Sequence, residues 1–328
     1  MKRFLVSFLL FILVSAAALG GLAAYGWQLF IKPGPSSEDT ILVLEKGSGL
    51  SKIARDLEAA GIIHNKFAFS FGVRVRAQEK NLKAGEYLFT RGMPGEEVMN
   101  LLVTGKIVAY SLTIPEGLQS REIRALILSD KVLSGDISEP MPEGSMLPET
   151  YRFNRGASRD QLVRRLKKAL VTAVDRLWQK RPSDSLINTK KDLIILASIV
   201  EKETGLAAER ARVAAVFLNR LRLGMRLQSD PTVIYGVTGG KYELKRGLTR
   251  KDLRAVNDYN TYVISGLPVG PISNPGLDSL KAVLKPAQSK DLYFVASGTG
   301  GHLFAKTLAE HNRNVRKWRK LQKKKTRK

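Results

Sequence analysis

The sequence predicts an α+β protein with one N-terminal apolar helix, a small mixed domain and a larger domain rich in helices. Three observations carry this. Residues 4–31 contain no charged side chain. Residues 40–110 alternate short β-type runs with amphipathic helical patterns. Beyond residue 111, strongly helical stretches are joined by long loops punctuated by glycine and proline.

The first 31 residues read as an anchor. A bilayer core of about 30 Å needs roughly 20 apolar helical residues, and this run is longer. Lys2 and Arg3 precede it, which by the positive-inside rule keeps the N-terminus cytoplasmic and places the body beyond the membrane. A cleaved signal peptide has a shorter apolar core, and Ala16, Ala17, Ala18 and Gly20 imitate its cleavage site. The run continues past them through Leu22 and Phe30, with Tyr25 and Trp27 as interfacial residues, so a single-pass, uncleaved anchor is expected.

Residues 32–39, beginning Lys32-Pro33-Gly34-Pro35, are a linker. A strand follows at 40–44, then the Gly47-Ser48-Gly49 turn. Ile53, Leu57 and Ala60 give the next helix its apolar stripe, and Gly61 ends it. A helix over 67–76, a strand over 85–88 and a helix over 96–102 complete the small domain, 40–110. A weak echo links Gly47, Ser51 and Ile53 with Gly117, Ser120 and Ile123: each glycine follows a β-type run and opens a helical pattern. The larger domain is assigned to 111–312.

Composition excludes several chemistries. The chain has no cysteine, so disulfides, a thiol nucleophile and cysteine-ligated zinc are out. His64, His302 and His311 are too scattered to suggest a metal site. The net charge of +24 invites a nucleic-acid reading, but residues 313–328 alone hold ten Lys or Arg and no acid. That run reads as a solvated, mobile tail, with an anionic lipid surface or acidic polymer as its alternative contact. Nucleic acid would require a cytoplasmic body, against the flanking charges, so no nucleic-acid partner is expected.

The most informative stretch is Leu193-Ile-Ile-Leu-Ala-Ser-Ile-Val-Glu-Lys-Glu-Thr204, apolar until a carboxylate arrives. At about 100° per residue, Glu201 shares a helix face with Ile194, Ala197, Ser198 and Gly205. Small neighbours on a buried helix leave room for a ligand and little water to stabilise charge, the setting a general acid requires. An ion pair, to Lys202 or an arginine, is the competing reading of Glu201. Glu203 lies about 200° around the same helix, so the two cannot readily serve one bond as a paired-carboxylate glycosidase does. A second helix follows at 211–222, then a polar loop over 223–236 containing Gln228, Ser229, Asp230 and Tyr235. With Asn260 and Tyr262 from the loop 257–276, these supply the short polar groups and flat aromatic faces that a sugar site needs. His302, His311 and Glu149 are weaker candidates, read first as structural residues.

Several stretches, in order, resemble the endolytic murein transglycosylase (YceG-like) family. They are Glu143-Gly-Ser-Met-Leu-Pro-Glu-Thr-Tyr-Arg-Phe153, Ser198-Ile-Val-Glu-Lys-Glu-Thr204, Leu227-Gln-Ser-Asp-Pro-Thr-Val-Ile-Tyr-Gly236, Tyr259-Asn-Thr-Tyr262, residues 266–276, Gly300-Gly-His-Leu-Phe304 and Glu310-His-Asn312. Ala84-Gly-Glu-Tyr87 and the Gly-Ser-Gly turn resemble the family's LysM-like segment. Ser145 and Val256-Asn257-Asp258 depart from the family's usual pattern, and the basic run lies outside it. The resemblance implies cleavage within peptidoglycan glycan strands at the bond between N-acetylmuramic acid and N-acetylglucosamine, leaving 1,6-anhydro ends. It implies Glu201 as the acid, and sugar contacts from Gln228, Ser229, Asp230, Tyr235, Asn260 and Tyr262. It further implies no cofactor or metal, an inner-membrane protein with its catalytic domain in the periplasm or its equivalent, and peptidoglycan synthases as partners. A hydrolytic muramidase and a catalytically silent wall-binding scaffold are the alternatives.

Overall fold

The computed structural model of the chain describes residues 2–183 and 185–325. It divides into two units, Met1–Tyr110 with Arg152–Gly156, and Ser111–Tyr151 with Ala157–Lys328. The first therefore takes in a short segment that the sequence reading assigned to the second.

In the first unit, helix α1 (Lys2–Ile31) leads to strand β1 (Thr40–Leu44), helices α2 (Leu50–Ala59) and α3 (Lys66–Val75), strand β2 (Gly85–Phe89) and helix α4 (Gly95–Thr104). Strands β1 and β2 pair antiparallel, Thr40 opposite Phe89 and Leu44 opposite Gly85. Asn65 caps α3 by accepting from the Phe67 and Ala68 amides, which satisfies two otherwise orphaned donors. The stretch Phe4–Ile31 is long and apolar enough to cross a membrane. Its last turns do something further. Phe30 is 1% exposed and belongs to the core formed by Leu57, Phe69, Val73, Tyr87 and Val98, while Trp27 lies 5.6 Å from Phe30 and under the Arg76 guanidinium. Gly72 makes this seat possible, because a Cβ there would overlap the Phe30 ring.

Strand β3 (Tyr110–Thr113), whose Ser111–Thr113 open the second unit, pairs with β4 (Thr150–Phe153), whose Thr150 and Tyr151 belong to the same unit. Between them lies α5 (Ser120–Ser129), opened by a capping box of Gln119 and Glu122. Gly47 and Gly117 both adopt positive φ, 82° and 75°, each between a strand and a helix, so the echo in the sequence is a shared strand–glycine–helix start. Helix α6 (Arg159–Gln179) precedes the central helix α7 (Lys190–Glu203), followed by α8 (Ala207–Arg222), α9 (Asp230–Thr238), α10 (Arg250–Arg254) and α11 (Leu277–Leu284). Helix α7 is buried from Leu193 through Glu201, with Ile194 only partly covered; it packs against α6, α8, α9 and α11. Strands β5 (Tyr293–Ala296) and β6 (His302–Ala305) form an antiparallel hairpin, and α12 (Leu308–Lys325) ends the described chain.

Two expectations are corrected. The polar loop over 223–236 contains the start of α9, whose N-terminus takes Pro231 in its first turn, where the missing N–H costs nothing. The basic run, expected as a tail, is helical: α12 is continuous through 313–325, and residues 326–328 lie outside the described residues. Its partly covered side, with His311, Asn314, Val315 and Trp318 at helical spacing, holds it, while Arg313, Arg316, Lys317 and Lys320 are exposed.

Candidate active site

The end of α7 delivers two carboxylates to two different surroundings. Glu201 has a side chain only 4% exposed. Its Oε1 accepts from Arg210 Nη2 at 3.3 Å, and its Oε2 accepts from the Gly276 amide at 2.8 Å. The space beside Ala197 and Ser198 that suggested a ligand is filled by chain. The Ile272 amide donates to Ser198 Oγ at 3.1 Å, and Ser273 Oγ donates to the Ser198 carbonyl at 3.3 Å. Gly276 must lack a side chain here, since a Cβ would strike the Glu116 carboxylate. Glu116 is the second acid on Arg210, Oε2 to Nη2 3.3 Å, and Asp278 is a third at 3.8 Å. Burial, then the charge of Glu201, pushes the Glu116 carboxyl above its ordinary value.

Glu201 is therefore a bracing group, joining α7, α8 and the start of α11. Removing one partner of a buried pair strands the other's charge, at a cost of about 3–5 kcal/mol. Arg210→Ala, which leaves Glu201 buried and uncompensated, is expected to lose about that much stability in denaturant unfolding.

Glu203 faces elsewhere, as its position around the helix requires. It lines a cavity of about 330 Å³ together with Arg220, Gln228, Asp230, Tyr262 and His311. Ser229 Oγ donates to Glu203 Oε1 at 2.6 Å, and the Tyr262 hydroxyl donates to Asp230 Oδ1 at 2.6 Å. Burial pushes the Glu203 carboxyl up to about 7; the Ser229 hydrogen bond opposes this and the Asp230 charge adds to it. Burial, then the bond to Asp230, likewise raises the Tyr262 hydroxyl. The loop containing Tyr262 shapes the cavity from behind: the Gln228 amide donates to the Thr261 carbonyl and the Ser229 amide to Thr261 Oγ1. Gln228 itself sits at φ 51°, a left-handed conformation this bracing supports.

Of the residues the sequence singled out, Gln228, Ser229, Asp230 and Tyr262 thus converge on Glu203. Two do not join them. Tyr235 is 8% exposed, packs on Tyr259 with ring centroids 4.7 Å apart and belongs to the core. Asn260 is fully buried and its Nδ2 donates to the carbonyls of Asp252, Leu253 and Ala255; it is a loop brace. His302 is held by Glu209, Nδ1 to Oε2 2.7 Å, and Glu149 is exposed and accepts from the Thr150 amide. Sequence reasoning missed Arg210, Glu116 and Arg220. Arg210 and Arg220 are the arginines that α8 buries, and an arginine on the inner side of an otherwise apolar helix was the available signal.

The model of the YceG-like family matches residues 42–317. The chain belongs to this family. Among its relatives, the endolytic murein transglycosylase of Bacillus subtilis is 30% identical over 333 residues, covering 92% of this chain and 91% of that protein. The endolytic murein transglycosylase of Streptococcus pneumoniae D39 is 28% identical over 362 residues, covering 96% of this chain and 65% of that longer protein. A crystal structure of a YceG-like protein from Listeria monocytogenes superposes with a TM-score of 0.50 at 33% identity, covering 85% of this chain and 99% of that one.

Proposed function

We propose that this chain is an endolytic murein transglycosylase and that Glu203 is its acid. The observation that carries this is the meeting, in one cavity, of a carboxyl that burial raises to about 7 with polar groups suited to sugars. The sequence reading gave that role to Glu201. Both glutamates lie in the same family-like stretch, Ser198–Thr204, and geometry favours the one whose oxygens are not tied to Arg210 and Gly276. Family membership and the two relatives' names support the reaction class.

The chemistry follows from one carboxyl. Protonated Glu203 donates to the oxygen linking C1 of N-acetylmuramic acid to N-acetylglucosamine, and the C1–O bond breaks. The muramic acid's own C6 hydroxyl attacks C1, and Glu203, now ionised, accepts that hydroxyl's proton. A C1–O6 bond replaces the one broken, no water is consumed, and the acid is regenerated. Ser229, donating to Glu203 Oε1, leaves the other oxygen to the substrate. Gln228, Asp230 and Tyr262 contact the sugars, and Glu201 holds the helix end that aims Glu203.

The acid must be protonated, and its folded value is raised to about 7. Turnover is therefore expected to be retained below that pH and to fall as pH rises through it, about tenfold per unit, in a kcat/KM profile. The defining experiment is mass spectrometry of fragments released from peptidoglycan by the full chain in detergent, beside Glu203→Gln and Glu201→Gln. Anhydro-ended fragments identify the transglycosylase; reducing ends make it a muramidase; none at all favours a binding scaffold.

The β–α–α–β order of β1, α2, α3 and β2 supports a LysM-like, glycan-binding reading of the first unit. The apolar stretch of α1, with Lys2 and Arg3 before it, supports a single-pass inner-membrane anchor with the second unit outside the cytoplasm. Cutting there would sever strands as they leave membrane-bound synthases, which makes those synthases the expected partners.

A further inference from the structure

The cavity around Glu203 holds polar groups that the reaction above leaves unused. Ser229 Oγ is taken by Glu203 and the Tyr262 hydroxyl by Asp230. Arg220 is buried, with Nε donating to the Leu292 carbonyl at 2.7 Å and Nη1 to the Leu227 carbonyl at 2.7 Å. The guanidinium carbon lies 5.2 Å from the centre of the Tyr293 ring, on which His311 stacks with centroids 5.2 Å apart. His311 Nδ1 is buried and unpartnered among the described residues. Burial, then the Arg220 charge, holds this imidazole below its ordinary pKa, so near neutral pH it is uncharged, one nitrogen donating and the other accepting.

What surrounds these groups narrows the ligand. Phe217, Phe294 and Leu308 line the same cavity and give it an apolar wall. A buried polar nitrogen without a partner, as His311 Nδ1 is here, is costly, so the cavity is built for something that supplies a polar contact. Hydroxyls alone would leave the apolar wall unfilled. A carboxylate would face the acids Glu203 and Asp230 across the cavity. An acetamido group satisfies both demands: its methyl takes the apolar wall and its carbonyl oxygen takes N–H donors.

We propose that Arg220 and His311, mounted on the Tyr293 ring, form a subsite that reads the N-acetyl group of a sugar beside the scissile bond. The inference rests on the transglycosylase reading of this cavity and assigns it a source of substrate selectivity. Arg220 is a contact to the carbonyl oxygen; His311 supplies the second polar contact and α12 supplies the wall behind it.

The test compares kcat/KM of the full chain in detergent on glycan strands and on the same strands after de-N-acetylation. Wild type is expected to favour the acetylated strands by about tenfold or more, the size of discrimination a polar pocket shows when its partner is missing. His311→Phe keeps a ring on Tyr293 and removes both nitrogens; it is expected to lower turnover of acetylated strands alone and to erase most of the preference. Arg220→Lys, which keeps the charge but not the fork, is expected to narrow it as well. Equal loss on both substrates would reduce His311 to packing and overturn the proposal. So would a wild type that cuts both strands equally well, a result independent of any variant's folding. Wild type that releases no anhydro-ended product from either strand would remove the reaction itself, and this subsite with it.

Discussion

Glu203→Gln is expected to lower release of anhydro-ended fragments by about 10³-fold, within the range a positioned general acid contributes. The amide oxygen still accepts from Ser229 Oγ, so the melting temperature should stay close to that of the wild type; what is lost is the proton. Glu201→Gln makes the contrast. It keeps an acceptor for the Gly276 amide but removes the charge opposite Arg210. It is expected to lower stability and to leave most of the turnover per folded molecule. A dead Glu201→Gln beside an active Glu203→Gln would return the acid to Glu201 and make the Ser229 pocket a binding site only.

The second large effect is on folding. Phe30 is 1% exposed in the core of the first unit, and truncating a buried phenylalanine costs about 3–5 kcal/mol. Phe30→Ala is expected to cost the first unit that much in denaturant unfolding, without a direct effect on Glu203. A soluble form made by starting at residue 32 should be damaged more severely, since it also loses Trp27 and its contact with Arg76. A chain beginning at Tyr25 keeps both rings and is expected to melt with the full-length protein. Equal stability of the two truncated forms would show that the helix end is dispensable.

The parts legible in the sequence were those governed by local pattern. Strand β1 is legible over 40–44, where apolar residues follow a turn signal, and α7 is evident from its apolar run. Which glutamate of α7 meets the cavity was not legible. That choice depends on residues 272–276 lying along Ser198 and Glu201, some 75 positions away in the chain, and on Arg210 of the next helix. Small residues beside an acid mark a space, and a sequence does not say whether ligand or backbone fills it. Ser229, Asp230 and Tyr262 were found because a site polar enough for sugar is rich in short side chains and phenols. Tyr235 and Asn260 have the same chemistry but spend it inside the fold, on Tyr259 and on backbone carbonyls. In α12 the charges hid a weaker apolar side, which needed the Tyr293 ring to give it a surface.

The seat of Phe30 also bears on reach. At 1.5 Å per residue, the 28 residues of the apolar stretch extend about 42 Å, more than a hydrocarbon core of about 30 Å occupies. With the stretch in a bilayer, the surplus would be taken up by the fold itself, and lipid and globular unit would share one continuous rod. A flexible leash would let the first unit tumble over a hemisphere above the bilayer. A rod seated in lipid at one end and in the core at the other would instead fix its height and tilt.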